Sequence, residues 1–222
     1  MGKVQQEKKR INSIYNKFIK RKFDIVLSGA ALLILWPVYG VIVAIIKITD
    51  PGPVFFVQKR VGIKKNGELT YFPIYKFRTM KTSTPKDVPT HLMENPEQWI
   101  TGIGKVLRKT SLDELPQIWN IFAGHMSIVG PRPALWNQYD LIEEREKYMA
   151  NDVRPGLTGW AQINGRDELP IDVKARLDGE YVQCLSLMFD LKCFAGTFWS
   201  VLRHDGVVEG GTGAMKKTEE KI

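Results

Sequence analysis

The 222-residue sequence has only two cysteines and three histidines. Cys184 and Cys193 fall in one apolar stretch, so they build neither a disulfide framework nor a CxxC site. Both are expected as buried, inert thiols in a reducing compartment. His91, His125 and His204 stand far apart without a metal-ligand spacing, which argues against zinc. The phosphate-binding signatures GxxxxGK[ST] and GxGxxG are missing, so any phosphate site is of another kind. No internal repeat is visible. Acidic residues are outnumbered 24 to 32 by basic ones, a net charge of +8. That balance favours acidic partners: nucleic acid, anionic lipid headgroups or phosphorylated small molecules. Without an RNP, zinc-finger or helix-turn-helix signature, nucleic acid is not expected among them.

Charge is also absent from Ile25 to Ile46, IVLSGAALLILWPVYGVIVAII. As a straight helix this run would extend roughly 33 Å at about 1.5 Å per residue, close to the thickness of a bilayer's hydrocarbon core. It is too long and too far from the start for a cleaved signal peptide. Pro37 lacks an amide proton and collides with the Leu33 carbonyl, so the helix must bend at Trp36-Pro37. Both flanks are basic, with Lys17, Lys20, Arg21 and Lys22 before the run and Lys47, Lys59, Arg60, Lys64 and Lys65 after it. That symmetry suits two ends on the cytoplasmic side better than a crossing. Residues 23–48 are therefore expected as a re-entrant helix–break–helix hairpin. Residues 1–22 are expected as a basic amphipathic helix, with Ile11, Ile14, Tyr15, Phe18 and Ile19 on one face.

Beyond the loop TDPGPV, the runs VFFVQKRVG and LTYFPIYKFRTM, joined at Lys65-Asn66-Gly67, predict a β-hairpin. Residues 81–98 read as a polar, proline-bearing surface loop. The remainder reads as mostly helical to Gly206, and residues 207–222 as a flexible tail. The fold class expected is α/β, mostly α with a small β-hairpin, with a catalytic domain over 49–206. Near the end, Leu185, Met188, Phe189, Leu191, Phe194, Phe198, Trp199 and Leu202 keep a helical period. Core packing is the default for them, and a helix at the membrane interface is the sharper alternative.

The chemistry-bearing stretch is RKTSLDELPQIWN from Arg108, followed by GHMSIVGPRP from Gly124. Ser111 and Glu114 match a capping box, but Pro116 would then fall beyond the first turn. With Asp113 as the N-cap, Pro116 stands at the third helical position, where no hydrogen bond is owed. That phasing puts the Asp113 carboxylate at a helix N-terminus, with a lowered pKa and beside a place where phosphate binds. An ionised carboxylate there is what a carboxylate nucleophile requires. Capping and nucleophile readings coexist. Arg108, Arg132, Lys76, Arg78 and Arg154 supply cations suited to phosphate.

Together these segments resemble the bacterial sugar transferase family, the monotopic polyprenol-phosphate phosphoglycosyl transferases. The resemblance rests on KRKFDIVLSGAALLILWPVYGVIVAIIKITDPGPVFFVQKRVG, YKFRTM, RKTSLDELPQIWNIFAGHMSIVGPRP, VRPGLTGWAQINGR and EYV…FDLKCF, from about Lys20 to Gly206. It implies a re-entrant membrane hairpin and a catalytic domain on the cytoplasmic face of the bacterial inner membrane. It also implies a ping-pong reaction in which Asp113 attacks the β-phosphorus of a UDP-sugar, carries the sugar phosphate and passes it to a polyprenol phosphate. Glu114 is implied as the partner carboxylate, helping to hold Mg²⁺ or managing the lipid phosphate's protonation, Asp113 as a ligand of Mg²⁺, and Arg108 and Arg132 as phosphate-contacting; Lys76 and Arg78 join them as phosphate-binding on the residues alone. Arg154, Gln162, Arg166 and Asp178 are implied near the nucleotide-sugar end. An N-acetylated amino sugar is the expected donor, with a hexose such as galactose or glucose as the alternative. The implied partners are UDP-sugar, undecaprenyl phosphate and membrane lipids, with room for a homodimer. A membrane-anchored, non-catalytic scaffold is the rival class.

Overall fold

The computed structural model describes residues 2–84, 96–165 and 169–203. Its longest element carries the charge-free run. Helix α1, Gly2–Ile11, stops at Asn12-Ser13. One wide turn of π type, Tyr15–Ile19, leads into α2, Lys20–Thr49. The single helix expected over residues 1–22 is thus interrupted. The reason is local: the Asn16 amide donates to the Ile11 carbonyl at 2.8 Å, and the Asn16 N–H donates to Ser13 Oγ at 3.2 Å. Such bonds compete with the helical ladder. The interruption divides the apolar stripe. Ile11 and Tyr15 pack against the Tyr181–Val182–Leu185 core, while Ile14, Phe18 and Ile19 stay exposed.

Helix α2 contains Pro37 and is bent, as a missing amide donor and a ring–carbonyl clash require. Both of its arms are seated on the same body. On the first arm, Asp24 Oδ1 accepts the Ser127 hydroxyl at 3.1 Å and the Ile128 N–H at 2.9 Å. On the second, Ile42 and Ile46 pack with Val54, Phe77 and Leu107, and the Tyr39 hydroxyl donates to the Leu115 carbonyl at 2.5 Å. Between the anchors, Leu33, Ile34 and Trp36 are 69 to 77 % exposed. A long apolar helix with so bare a middle marks membrane association.

The hairpin forms as expected. Strands β1, Phe55–Lys65, and β2, Glu68–Phe77, pair antiparallel from Phe55↔Phe77 to Lys65↔Glu68. Asn66 (φ 52°) and Gly67 (φ 85°) make the two-residue turn, and positive φ at both positions matches the right-handed twist of the strands. Of the loop expected over 81–98, the described part includes a 3₁₀ turn at Pro96–Trp99.

Helices α3, Gly102–Lys109, and α4, Gln117–Ala123, follow. Wholly buried Asn120 ties α4 to β2: its Oδ1 accepts the Tyr75 N–H at 3.1 Å, and its Nδ2 donates to the Pro73 carbonyl at 2.8 Å. Strands β3, Ser127–Val129, and β4, Gly156–Thr158, form a parallel pair that sequence periodicity did not reveal. A Cβ at Gly130 would lie 2.4 Å from the Arg154 carbonyl, so only glycine allows the chain past β3 to approach this closely.

Helices α5, Tyr139–Glu146, α6, Trp160–Ile163, α7, Ile171–Cys184, and α8, Leu187–Arg203, complete a mostly helical fold with two small sheets. Buried Asp190 on α8 joins three elements. It pairs with Lys20 of α2 and accepts the hydroxyls of Tyr15 at 2.5 Å and Tyr181 at 2.8 Å. The α8 stripe is shared between two environments: Phe189 and Cys193 face the core, while Leu187, Met188, Leu191, Phe194 and Trp199 are exposed. The thiols divide likewise. Cys193 is buried, but Cys184 is exposed, against the expectation that both would be buried.

Candidate active site

Four segments meet around the acidic pair. Thr101 caps α3, its Oγ1 accepting the Gly104 N–H at 3.0 Å. The last turn of α3 carries Arg108, whose Nε donates to Thr79 Oγ1 at 2.9 Å. The chain then reverses through Ser111, at φ 56°, into a single 3₁₀ turn, Leu112–Glu114. Its backbone bonds are tight i→i+3 links, Glu114 N–H to the Ser111 carbonyl and Leu115 N–H to the Leu112 carbonyl, both 3.2 Å. Leu112 and Leu115 pack into the Phe77–Leu107 cluster. The acidic residues between them are left facing the charged side chains of β2 and the segment after β3.

This corrects the expected phasing. Asp113 lies within the 3₁₀ turn and caps no helix, Ser111 makes no capping bond, and Pro116 immediately precedes α4. Proline brings no N–H to that terminus, so α4 begins after it without a side-chain cap.

Glu114 Oε1 accepts Lys76 Nζ at 2.7 Å and Arg132 NH2 at 2.8 Å. Its side chain is 16 % exposed. Burial alone would raise its pKa, but Arg132 and Lys76 outweigh that and hold the carboxyl well below the usual range. Asp113 behaves oppositely. Burial pushes its carboxyl up to about 6; Lys76 pulls it down, the Glu114 charge pushes it up, and Arg108 and Arg132 act against the rise. The lowered pKa expected for Asp113 is therefore reversed, chiefly because burial desolvates the carboxylate, with the anionic neighbour one residue away adding to the rise and a 3₁₀ turn supplying little dipole against it. The arrangement joins a fixed anion, Glu114, to a poorly solvated carboxylate, Asp113, within a ring of three cations.

A model of the bacterial sugar transferase family matches residues 15–204, which takes in every segment of this cluster. The chain belongs to the bacterial sugar transferase family. It is a phosphoglycosyl transferase. It is similar to the exopolysaccharide production protein ExoY of Rhizobium meliloti, 38 % identical over 186 residues, covering 78 % of this chain and 80 % of that protein. It is 41 % identical over 184 residues to the UDP-glucose:undecaprenyl-phosphate glucose-1-phosphate transferase of Escherichia coli, covering 80 % of this chain and 39 % of the relative. The undecaprenyl-phosphate galactose phosphotransferase of Salmonella typhimurium is 36 % identical over 207 residues, covering 86 % and 42 %. This chain thus spans about two fifths of the length of the glucose and galactose enzymes.

Within this sugar transferase the other expected site residues are dispersed. Arg78 is buried and donates to the Asp50 carbonyl, with the Asp50 carboxylate 3.6 Å away, so it fastens the exit from α2. Asp178 is fully buried and pairs with Arg145, Nε to Oδ2 at 2.8 Å. Arg145, 3 % exposed, also donates to the Arg132 carbonyl at 2.9 Å. Asp178 therefore reaches the acidic pair through Arg145 and Arg132. Sequence reasoning missed Arg145; the signal was a charge on the buried face of α5, which also carries Leu141 and Ile142. Arg154 precedes β4 within electrostatic reach of Arg21, which donates to the Ile121 carbonyl at 2.7 Å, and the buried Nε of Arg154 has no hydrogen-bond partner among the described residues. Gln162 lies on α6, its amide 3.5 Å from the Leu157 carbonyl. Arg166 and residues 207–222 lie outside the described residues.

No group of three or more His, Cys, Asp or Glu gathers as a metal cage among the described residues. Mg²⁺ needs less than a cage: one or two carboxylates complete its shell together with substrate phosphates and water. Asp113 fits that donor set, being half-buried and accepting no hydrogen bond among the described residues.

Proposed function

We propose that this protein moves a hexose 1-phosphate from a UDP-hexose to undecaprenyl phosphate, giving undecaprenyl-diphospho-hexose and UMP. The observation that carries the chemistry is the divided acidic pair: Glu114 is clamped by Lys76 and Arg132, and Asp113 beside it is left able to react. The donor follows from relatives named for glucose and galactose. They favour the hexose alternative over the N-acetylated amino sugar first expected.

In the proposed reaction an Asp113 carboxylate oxygen attacks the β-phosphorus of the UDP-hexose. A P–O bond forms, the bridging P–O bond breaks, and UMP departs with that bond's electron pair. A phosphate oxygen of the lipid then attacks the same phosphorus, and the bond to Asp113 breaks, restoring the carboxylate. Lys76, Arg108 and Arg132 offset the repulsion between carboxylate and pyrophosphate, and Glu114 keeps two of those cations in place. A pKa near 6 leaves Asp113 ionised at neutral pH while its burial limits the water that would blunt a nucleophile. Mg²⁺, held by Asp113 and substrate phosphates, would supply neutralisation of the developing charge on the leaving phosphate.

We assign residues 23–48 to a re-entrant hairpin, residues 49–206 to a catalytic domain on the cytoplasmic face of the inner membrane, and residues 1–22 to a basic N-terminal segment. The support is the bend at Pro37, the two arms seated on one body and the basic flanks. The placement has a chemical reason, since the acceptor phosphate stays at headgroup depth.

The deciding experiment measures UMP release from UDP-glucose, UDP-galactose and UDP-N-acetylglucosamine with undecaprenyl phosphate and Mg²⁺, and seeks a phospho-hexose adduct on Asp113 by peptide mass spectrometry. Release from a hexose donor with the adduct is expected. Release from the acetylated donor alone would overturn the hexose assignment. Full turnover by Asp113→Asn would overturn the mechanism. Tags before residue 20 and after residue 215 are expected on one side of the membrane, and opposite sides would exclude the hairpin.

A further inference from the structure

A second recess lies away from the acidic pair, between α1 and the corner joining α7 to α8. It measures about 610 Å³, and its walls include Gln6 and Arg10 of α1, Gln183 and Cys184 of α7, and Met188 and Lys192 of α8. None of these side chains belongs to the carboxylate site.

The chemistry of the walls is one-sided. Two cations and two amides line the recess, and among the described residues no carboxylate does. The acid of α1, Glu7, is 3 % exposed and lies behind the wall, its Oε1 accepting Gln183 Nε2 at 3.0 Å. Lys192 is held on the wall with its ammonium 4.6 Å from the Trp160 ring centre and 5.7 Å from that of Phe189. Arg10 ends α1 in the basic turn Lys8, Lys9, Arg10. An anion is the ligand that such walls complement.

The rim selects the kind of anion. Met188, 75 % exposed, and Phe189 line the recess with the cations. Ile14 and Phe18 are also exposed, on the connection from α1 to α2 that leads into the charge-free run. A soluble inorganic phosphate has no use for an apolar wall, whereas a lipid presents a phosphodiester and acyl chains side by side.

We propose that this recess binds the headgroup of an anionic phospholipid, with Arg10 and Lys192 on the phosphodiester and the acyl chains over Met188 and Phe189. The proposal rests on the membrane-seated reading of α2. It gives the protein a lipid contact separate from its acceptor site, one that fixes α1 and α8 at headgroup depth.

Cys184 supplies the probe. It is exposed in the recess, while Cys193 is buried with its thiol pushed up to about 12, mainly by burial, and stays silent toward maleimide. The full-length protein is bound to vesicles of phosphatidylcholine alone, or of phosphatidylcholine with phosphatidylglycerol, and binding is checked by flotation. Phosphatidylglycerol is expected to slow maleimide labelling of Cys184 about tenfold, from the pull of two cations on an anionic headgroup. Arg10→Gln with Lys192→Gln is expected to abolish that slowing and leave UMP release in detergent unchanged, while Arg10→Lys retains the slowing. Equal labelling on both vesicles by bound protein, or slowing that survives the double substitution, overturns the proposal. Protection in detergent by inorganic phosphate or UDP-glucose overturns it too, in favour of a soluble anion. A protein that floats with neither vesicle sinks the membrane reading and this one with it.

Discussion

Glu114 receives both Lys76 and Arg132 on one oxygen, at 2.7 and 2.8 Å, while the carboxylate of Asp113, its neighbour in the chain, receives no hydrogen bond among the described residues. The two acids are displaced in opposite directions, Glu114 downward and Asp113 up to about 6. They titrate as a pair, with the first proton lost from the clamped member. A shared site with divided pKa values is a common way to separate a fixed charge from a reacting one.

Asp113→Asn is expected to abolish UMP release and to stabilise the fold. Its pKa is raised on folding, so the ionised carboxylate costs stability above about 6, and that cost is absent below the unfolded value near 3.8. The variant should gain about 1 to 2 kcal/mol at pH 8 and nothing at pH 3.5. Thermal unfolding at both values checks this, and an equal gain at both would exclude the linkage.

Turnover should depend on the ionised nucleophile. UMP release under kcat/KM conditions is expected to rise with pH through about 6 and then level off. Lys76 holds the Asp113 pKa down, so Lys76→Met should move the rise to higher pH as well as lower the plateau. A profile unmoved by that substitution would show that another group sets it.

Glu114→Gln removes the carboxylate oxygen that Lys76 and Arg132 share. A loss of about 3 kcal/mol is expected at pH 7, the lower end for breaking a largely buried ion pair. Because the folded pKa is depressed, Glu114's contribution is complete above the unfolded value near 4.5 and is lost as pH falls below it. Urea unfolding of both proteins should therefore converge in acid. A constant difference from pH 7 to pH 3 would contradict the assignment.

Asp178 and Arg145 connect to the acidic pair through the Arg132 carbonyl, and a positioning role is predicted for them. Asp178→Asn should destabilise the protein by about 3 kcal/mol, since it leaves the buried Arg145 charge without an anion. Arg132 also helps hold the Asp113 pKa down, so the surviving activity should rise at higher pH than in the parent. Lost stability with an unchanged pH profile would reduce Asp178 to a structural role.

Much of this molecule is written locally. The charge-free run, the proline within it, the Asn66-Gly67 turn and the Asp113-Glu114 pair are all patterns of near neighbours. Steric and solvation rules act over a few residues, so the sequence itself determined the bent apolar helix, the hairpin and the identity of the candidate acids. Other features depend on partners that only folding brings close. Asn16 broke the N-terminal helix through its own side chain, a competition that a regular apolar stripe concealed. The parallel pair β3–β4 joins segments 29 residues apart, Ser127 to Gly156, and three-residue strands carry too short a pattern to announce themselves. The division of labour within the acidic pair is the clearest case. Lys76 comes from 38 residues before Glu114 and Arg132 from 18 after it. Only the tertiary structure decided which carboxylate they would hold, because electrostatic shifts follow distance and burial in space, not order along the chain.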